Sequence, residues 1–336
     1  MKKFLIALFI AIFSVFSSFA VACSDGEEGS LTLYVPDGAP ALSVARLLAE
    51  EDILPDIDIN VVSASTIQTY VTGETPTADI CILPVNVASK FLGDASTYTM
   101  LGSVTQSNLF IMKKQSGVDI TTANLNELIG KKVGVINLAN VPGLTFKSIL
   151  SDNAIPFANY VEGFADATKV NLVALSGGQD VLPTSACDYF VVPEPAATTK
   201  QTATQGKLSI AGSLQTLYGD GNGYPQAVIV AKNSVIAERG DLIQDLLDEF
   251  ADNKEWLLDE NTTKEEIVNA VISGFVDSEM APTFTANNLN DTVINNCAIN
   301  FVKASACKTA VLGYLAKINA ITNGNFGTPV DAFFAN

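Results

Sequence analysis

The sequence predicts an α/β protein of two lobes, each a mostly parallel sheet flanked by helices, with the lobes joined by two hinge strands. Three observations predict this fold. Short apolar runs alternate with helical patterns, which is typical of parallel sheets covered by helices on both faces. A strand–turn–helix unit near the start of the chain is repeated further along. Two similar apolar runs bracket the second copy of that unit.

Composition places the chain among globular proteins and excludes several kinds of site. Its 336 residues are 48% hydrophobic and 16% charged, which argues against disorder. The sequence contains no histidine, so Ser-His-Asp catalysis, Cys-His catalysis and imidazole metal ligands are excluded. The formal net charge of −17 disfavours nucleic acid as a partner. We expect neither a metal nor a cofactor.

The N-terminus has the features of an export signal. Two lysines precede an apolar run, and small residues then lead to Cys23. Ala20 and Ala22 fit the cleavage site of an ordinary secreted protein, whereas the small residues before Cys23 resemble a lipobox, in which that cysteine is lipidated. The polar stretch after Cys23 favours the lipid anchor. We therefore expect a signal peptide at 1–22, and a lipidated Cys23 with its tether at 23–30.

The other four cysteines need a separate interpretation. Cys81 and Cys187 lie inside apolar runs, and we expect them to be small buried side chains. Cys297 and Cys307 are close in the sequence, and an exported protein can form a disulfide between them. For this pair, a disulfide and two free thiols both remain open.

The internal repeat consists of a strand, a Gly/Pro turn and a helix. The strand is at 31–35 in the first copy and at 132–136 in the second. Each copy is followed by an Asp, four apolar residues and a Pro, at 79–84 and at 188–193. Matching order and spacing favour two lobes built on one plan over two unrelated α/β units.

The remaining elements follow from the same patterns. Apolar runs predict further strands at 57–62 and 99–103, and the C-terminal third of the chain is predicted to be helical. The predicted C-terminal helices lie at 242–258, 264–275, 286–297 and 305–321.

Two more apolar runs are predicted to cross between the lobes. The runs 108–113 and 226–232 each end in a lysine, and they bracket the second repeat. If both cross, the first domain is discontinuous, at 31–112 plus 228–336, and the second is inserted at 113–227. Two crossings form a hinge whose closure can trap a ligand between the lobes. The alternative is that both runs are core strands of one large sheet.

Together these features resemble the type II periplasmic solute-binding proteins of ABC importers, in the branch that includes taurine, alkanesulfonate and thiamine-precursor binding proteins. The resemblance spans nearly all of 30–336 and rests on the segments 38–40, 78–84, 128–135, 192–195 and 223–226. It implies a two-lobed fold, no catalysis, and delivery of a small molecule to an ABC permease. We expect a monomer at the outer face of the cytoplasmic membrane, in a periplasm or at a cell surface, with the lipid anchor as its membrane contact. Relatives bind different solutes, so the fold does not identify the ligand.

A ligand site is predicted at the carboxyl ends of the strands, where helix N-termini provide unpaired N–H groups. The predicted site residues are Asp37, Gly38, Ala39, Pro40, Ser65, Thr66, Asn86, Asn137, Asn140, Gly143, Glu194, Tyr218 and Tyr224. Structural alternatives remain open for several of them, as helix caps, as a carboxylate facing a helix dipole, or as a residue that holds a turn. The set contains no Arg or Lys, which favours a neutral or zwitterionic organic ligand over a sulfonate or phosphate.

Other functions also remain open. An enzyme on the same fold, converting a vitamin precursor, would need a reactive group such as Cys81, Asp37 or Glu194. Cys81 is a poor nucleophile, because no histidine is present to activate it. A sensor subunit would use the same cleft and pass its signal to a kinase, and a surface protein that binds another protein would need no small-molecule pocket. The sequence favours solute capture without catalysis.

Overall fold

The computed structural model describes residues 29–219 and 223–336, which form two separate six-stranded sheets. The first sheet contains β1 (Leu31–Pro36), β2 (Ile57–Val62), β3 (Ile80–Pro84), β4 (Tyr98–Thr105), β11 (Ala227–Lys232) and β12 (Ile299–Lys303). The second contains β5 (Leu109–Lys114), β6 (Lys132–Ile136), β7 (Phe157–Asn159), β8 (Val170–Leu175), β9 (Tyr189–Pro193) and β10 (Leu208–Ser213). Their strand orders are β12-β4-β11-β3-β1-β2 and β10-β5-β9-β6-β8-β7. The predicted two-lobed α/β fold is confirmed.

Helices flank both sheets. In the described part of the chain they are α1 (Ala39–Leu42), α2 (Ala45–Ala49), α3 (Val85–Leu92), α4 (Val141–Asp152), α5 (Ala196–Ala203), α6 (Leu214–Leu217), α7 (Asn233–Glu238), α8 (Gly240–Leu258), α9 (Lys264–Ser273), α10 (Asp291–Asn296) and α11 (Ala304–Thr322). None of these helices combines the length and the apolar character that a membrane span requires.

The two sheets share one strand plan, which explains the repeat in the sequence. Strands β3, β1 and β2 are parallel neighbours in the first sheet, as are β9, β6 and β8 in the second. The repeated aspartates occupy equivalent positions. Asp79 accepts a hydrogen bond from the backbone N of Thr32 (3.0 Å), and Asp188 accepts one from the backbone N of Lys132 (2.9 Å). Each aspartate therefore joins the starts of two adjacent parallel strands.

The chain crosses between the lobes twice. The first crossing segment is 106–108, between β4 of the first sheet and β5 of the second, and the second crossing ends with 223–226, before β11. The predicted domain limit after residue 112 falls inside β5, which pairs with β9 and β10 of the second sheet. The limit before residue 228 falls one residue inside β11. The predicted hinge strands are thus core strands of two different sheets, and the crossing segments precede them.

The two crossing segments hydrogen-bond to each other. The backbone N of Tyr224 donates to Gln106 O (2.7 Å), and the backbone N of Gln226 donates to Thr105 O (3.0 Å). Gly223 has a φ of +84°, and a Cβ at this position would overlap Gln106 O. Glycine is therefore required where the segments touch, because only glycine tolerates both this conformation and this approach.

The apolar core lies on both faces of the first sheet and continues into the second lobe. α8 and α9 contribute to the core on one face, and α3 and α11 contribute on the other. α11 also packs against α4 of the second lobe, beside the crossing segments. In this interface Thr145 Oγ1 and Tyr314 OH are hydrogen-bonded at 2.9 Å, and Lys317 pairs with Asp152 at 2.8 Å. The lobes therefore share a buried interface.

Of the two alternatives left open for Cys297 and Cys307, the structure has the free thiols, and both are buried. Cys297 packs on the α8 side of the first sheet, whereas Cys307 packs on the α11 side. The two thiols are thus held on opposite faces of one sheet, where a disulfide cannot join them. Cys81 and Cys187 are also buried free thiols, as predicted.

Replacing Gly223 with Ala should destabilise the folded protein, because the added methyl group would meet Gln106 O and the positive φ disfavours an L residue. We expect a loss of about 1–3 kcal/mol in the free energy of unfolding. Gly313→Ala is the matched control, since Gly313 is exposed in α11 and its Cβ position is open. Urea denaturation measures both variants. Equal midpoints for the two would contradict the prediction.

Candidate functional site

A cleft of about 500 Å³ lies between the lobes, at the carboxyl ends of the parallel strands. Residues that follow β1, β2 and β3 form its wall in the first lobe, and residues that follow β6 and β9 form its wall in the second. Asn108 and Gln226, one from each crossing segment, connect the two walls. Ligands bind at this edge in open α/β sheets. A more open concavity around Lys114 and Lys207 is formed by the second lobe alone.

Most of the predicted site residues line this cleft. They are Asp37, Gly38, Ala39, Pro40, Ser65, Asn137, Asn140 and Glu194. The remaining predicted residues are not in the lining, namely Thr66, Asn86, Gly143, Tyr218 and Tyr224. Sequence reasoning thus located both walls of the cleft. The contacts of these residues with a ligand stay a prediction.

Tyr218 and Tyr224 lie in an aromatic cluster with Tyr314 of α11. Ring centroids are 5.4 Å apart for Tyr218 and Tyr224, and 5.8 Å apart for Tyr224 and Tyr314. Burial raises the pKa of the Tyr224 and Tyr314 hydroxyls, so both stay neutral. The cluster joins the second crossing segment to α11, which fits the structural alternative for Tyr224.

The other three residues outside the lining have local surroundings of their own. Gly143 lies in the first turn of α4, and a Cβ there would overlap Leu138 O, so glycine allows this turn to pack on its own preceding loop. Asn86 is 3% exposed in the first turn of α3, and its Oδ1 has no hydrogen-bond partner among the described residues. Thr66 is exposed and donates through Oγ1 to Ser63 O (3.0 Å).

The carboxylate of Asp37 is held from within the first lobe. Its Oδ1 accepts a hydrogen bond from the backbone N of Gly38 (2.8 Å), and its Oδ2 accepts from both N and Oγ1 of Thr283 (2.9 and 2.7 Å). A carboxylate offers about four lone-pair positions, so most of its acceptor capacity is used by the protein. Thr283 also lines the cleft.

The carboxylate of Glu194 is buried and joins the two lobes. Its Oε2 accepts from the backbone N of Thr198 (3.1 Å), and its Oε1 accepts from Thr198 Oγ1 (2.7 Å). These bonds satisfy the first turn of α5, which fits the helix-dipole alternative. Oε1 also accepts from Asn296 Nδ2 at 2.7 Å. Because Asn296 ends α10 of the first lobe, this hydrogen bond connects the lobes beside the cleft.

The rest of the cleft lining combines apolar surface with several polar side chains and carries no positive charge. In the described part of the chain the lining includes no Lys or Arg. Its hydrogen-bonding side chains are mainly carboxamides, namely Gln68, Asn108, Asn137, Asn140 and Gln226. Five prolines add rigid surface without N–H groups, namely Pro36, Pro40, Pro84, Pro142 and Pro193. The described residues also contain no group of three or more His, Cys, Asp or Glu side chains that could hold a metal ion.

Several lining residues were not among the predicted site residues. Asn108 and Gln226 lie at the starts of the two runs predicted as hinge strands. A polar residue at each predicted crossing could therefore have indicated that these positions line the cleft. Gln68 lies in a short helical turn after β2. No local signal marks Thr283, because it is 246 residues away from its partner Asp37.

Solved structures match this fold, although no protein-family model and no curated protein sequence matches the chain. An ABC transporter protein from Parabacteroides distasonis is 15% identical, covers 92% of this chain and 99% of its own, and has a TM-score of 0.70. The periplasmic aliphatic sulphonate binding protein SsuA from Escherichia coli is 11% identical, covers 91% and 92%, and has a TM-score of 0.62.

A third structure is the ligand binding component of an ABC-type import system from Staphylococcus aureus, determined with zinc bound. It is 10% identical, covers 92% of this chain and 97% of its own, and has a TM-score of 0.58. At these identities the likeness shows the fold alone. The chain therefore has the two-lobed fold of the periplasmic binding proteins of ABC transporters, as the resemblance predicted.

Replacing Asn296 with Ala should weaken the contact between the lobes, because it removes the one hydrogen bond to the buried Glu194 carboxylate that comes from the first lobe. A hydrogen bond to a charged group contributes about 1.5–3 kcal/mol. We expect small-angle X-ray scattering to show a larger radius of gyration for the variant. Asn295→Ala is the control, since its Nδ2 bonds only to Asp291 O within α10. Identical scattering from both variants and the wild type would refute the role of this hydrogen bond.

Proposed function

We propose that this protein is an extracytoplasmic substrate-binding lipoprotein that captures a small neutral or zwitterionic organic molecule for an ABC importer. The observation that carries the proposal is the interlobe cleft, which both lobes and both crossing segments line. Its volume of about 500 Å³ lies in the range of small-molecule sites. The solved structures of similar fold include an ABC transporter protein and the ligand binding component of an ABC-type import system, which supports import as the purpose of binding.

The charge of the cleft supports a ligand without a net negative charge. The lining contains the carboxylates of Asp37 and Glu194 and, in the described residues, no side chain that carries a positive charge. A sulfonate would lie near two like charges with no Arg or Lys to offset them. The open carboxamides of Asn137 and Asn140 can instead pair with neutral donors and acceptors.

The reactive groups of the chain support binding over catalysis. The Cys81 thiol is fully buried, and burial raises its pKa, so it stays protonated. Asp37 and Glu194 each accept three hydrogen bonds from the protein, which fixes them as structural acceptors. A group held in this way is poorly placed to exchange a proton with a substrate.

The location of the protein follows from its N-terminal sequence. The signal peptide at 1–22 and Cys23 lie outside the described residues, so the lipid anchor is inferred from the small residues before Cys23 and the polar tether after it. We propose that the protein works as a monomer at the outer face of the cytoplasmic membrane, with a permease as its partner. The net charge of −17 disfavours nucleic acid.

A neutral or zwitterionic ligand should stabilise the protein against heat, and plain alkanesulfonates should not. A ligand at a hundredfold excess over its Kd stabilises the folded state by about 2.7 kcal/mol. Differential scanning fluorimetry with a metabolite panel, followed by calorimetry of each hit, measures this effect. Asn137→Ala should lower the affinity for each compound that binds. Asn287→Ala, at an exposed position outside the lining, should leave the affinity unchanged. Tight binding of methanesulfonate would overturn the proposed ligand class.

Cys23→Ser should convert the membrane-bound protein into a soluble one, because serine cannot carry the thioether-linked lipid. The wild type should enter the detergent phase in Triton X-114 partitioning, and the variant should enter the aqueous phase. Ser24→Ala is the matched control and should partition like the wild type. If the wild type itself stays in the aqueous phase, the protein is secreted without an anchor.

A further inference from the structure

Asn108 and Gln226 form a pair of carboxamides where the two crossing segments meet the cleft, called here the hinge pair. Gln226 Nε2 donates to Asn108 Oδ1 at 2.9 Å. Both side chains line the cleft, and Asn108 is only 5% exposed. The pair therefore lies at the join between the lobes, in contact with the space that a ligand would occupy.

The backbone holds the hinge pair in equivalent positions of the two lobes. The backbone N of Glu194 donates to Asn108 O (3.0 Å), and the backbone N of Val85 donates to Gln226 O (3.1 Å). Val85 and Glu194 each follow the proline that ends a repeated strand. The backbone of Asn108 is thus tied to the end of β9 in the second lobe, and the backbone of Gln226 is tied to the end of β3 in the first lobe.

The hydrogen bond within the pair leaves one acceptor and one amino group unused. Gln226 Oε1 is buried and has no hydrogen-bond partner among the described residues. The Nδ2 of Asn108 takes no part in this hydrogen bond. If the oxygen and nitrogen positions of both side-chain amides are exchanged, one acceptor and one amino group are still left unused, each on a different residue of the pair.

An unpaired buried carbonyl costs free energy, so a partner that donates to it gains binding affinity. Gln226 Oε1 is shielded from solvent, so a ligand in the cleft reaches it once the Gln226 side chain has turned toward the cleft. A partner that offers a donor and an acceptor side by side then satisfies both members of the hinge pair at once. Planar cyclic amides and ureides have such an edge, because an N–H lies next to a C=O in the same ring. The prolines of the cleft offer flat apolar surface to the faces of such a ring.

We propose that the hinge pair is the specificity determinant of the cleft and selects uncharged planar ligands that carry an amide-like donor–acceptor edge. This inference rests on the proposed function, since it requires that the cleft binds a small molecule. It adds the chemical class of the ligand and the two residues that select it. Ligands without an N–H on this edge leave the buried Gln226 carbonyl unpaired and are rejected.

Calorimetry with uracil and hydantoin as probes tests the ligand class. Each probe is compared with its N,N′-dimethyl derivative, which keeps the ring and the carbonyl groups but lacks the N–H donors. We expect at least one parent probe to bind about tenfold or more tightly than its dimethyl derivative. Equal affinities for parent and derivative would overturn the inference.

Substitutions in the hinge pair test the residues. Gln226→Met removes both polar atoms at similar volume, and binding of the parent probe should fall about tenfold or more. Gln226→Glu keeps the shape but makes this position an acceptor only, so acetamidine, a cation with two parallel N–H donors, should gain affinity while uracil loses it. Gln244→Met, at an exposed position on α8, is the control and should bind as the wild type does.

The outcomes separate this inference from the proposed function. If another compound binds in the cleft and Gln226→Met leaves its affinity unchanged, the hinge pair is not the determinant, although solute binding stands. If no compound of the wider metabolite panel binds, both proposals fail. A gain in acetamidine affinity by Gln226→Glu cannot come from loss of folding, so it supports the inference even where Gln226→Met is unstable.

Discussion

Backbone hydrogen bonds between the two crossing segments hold both sheets of this protein in place. Tyr224 and Gln226 donate to carbonyl groups at and just after the end of β4, and the chain continues from the crossings into β5 and β11. Each of these strands is antiparallel to the parallel core of its sheet. A displaced crossing would therefore shift strand register in both lobes. Gly223 is required at this contact, because its backbone approaches Gln106 closely.

The interface between α11 and α4 adds a second link between the lobes. α11 follows β12 of the first sheet, yet it packs on a helix of the second lobe. Separating the two helices would expose apolar surface and break the hydrogen bond between Thr145 and Tyr314. We therefore expect the lobes to move by rotation about the crossing segments, with α11 remaining on α4. The aromatic cluster of Tyr218, Tyr224 and Tyr314 belongs to this link.

The cleft lining combines two carboxylates with several carboxamides. Asp37 and Glu194 bring two carboxylates to the lining, but protein donors occupy most of their acceptor positions. The two carboxylates stabilise different parts of the structure. Asp37 hydrogen-bonds to Thr283 within the first lobe, whereas Glu194 hydrogen-bonds to the first turn of α5 and to Asn296 in the other lobe. The carboxamides and prolines make up most of the remaining lining. The proposed uncharged ligand would therefore meet carboxylates whose acceptor positions are mostly filled by the protein.

The sequence by itself determined the α/β class, the two lobes and much of the cleft, because strand runs, Gly/Pro turns and the repeated Asp and Pro are local patterns. Tertiary structure decided the rest. The half-exposed edge strand β12 has too weak a pattern to predict. The helix predicted after the Gly/Pro turn of the first repeat is divided into α1 and α2. Asp37 accepts a hydrogen bond from Thr283, which lies 246 residues away, and Glu194 accepts one from Asn296, which lies 102 residues away. No local pattern encodes such contacts, since they exist only once the two sheets have formed and the chain has crossed between them.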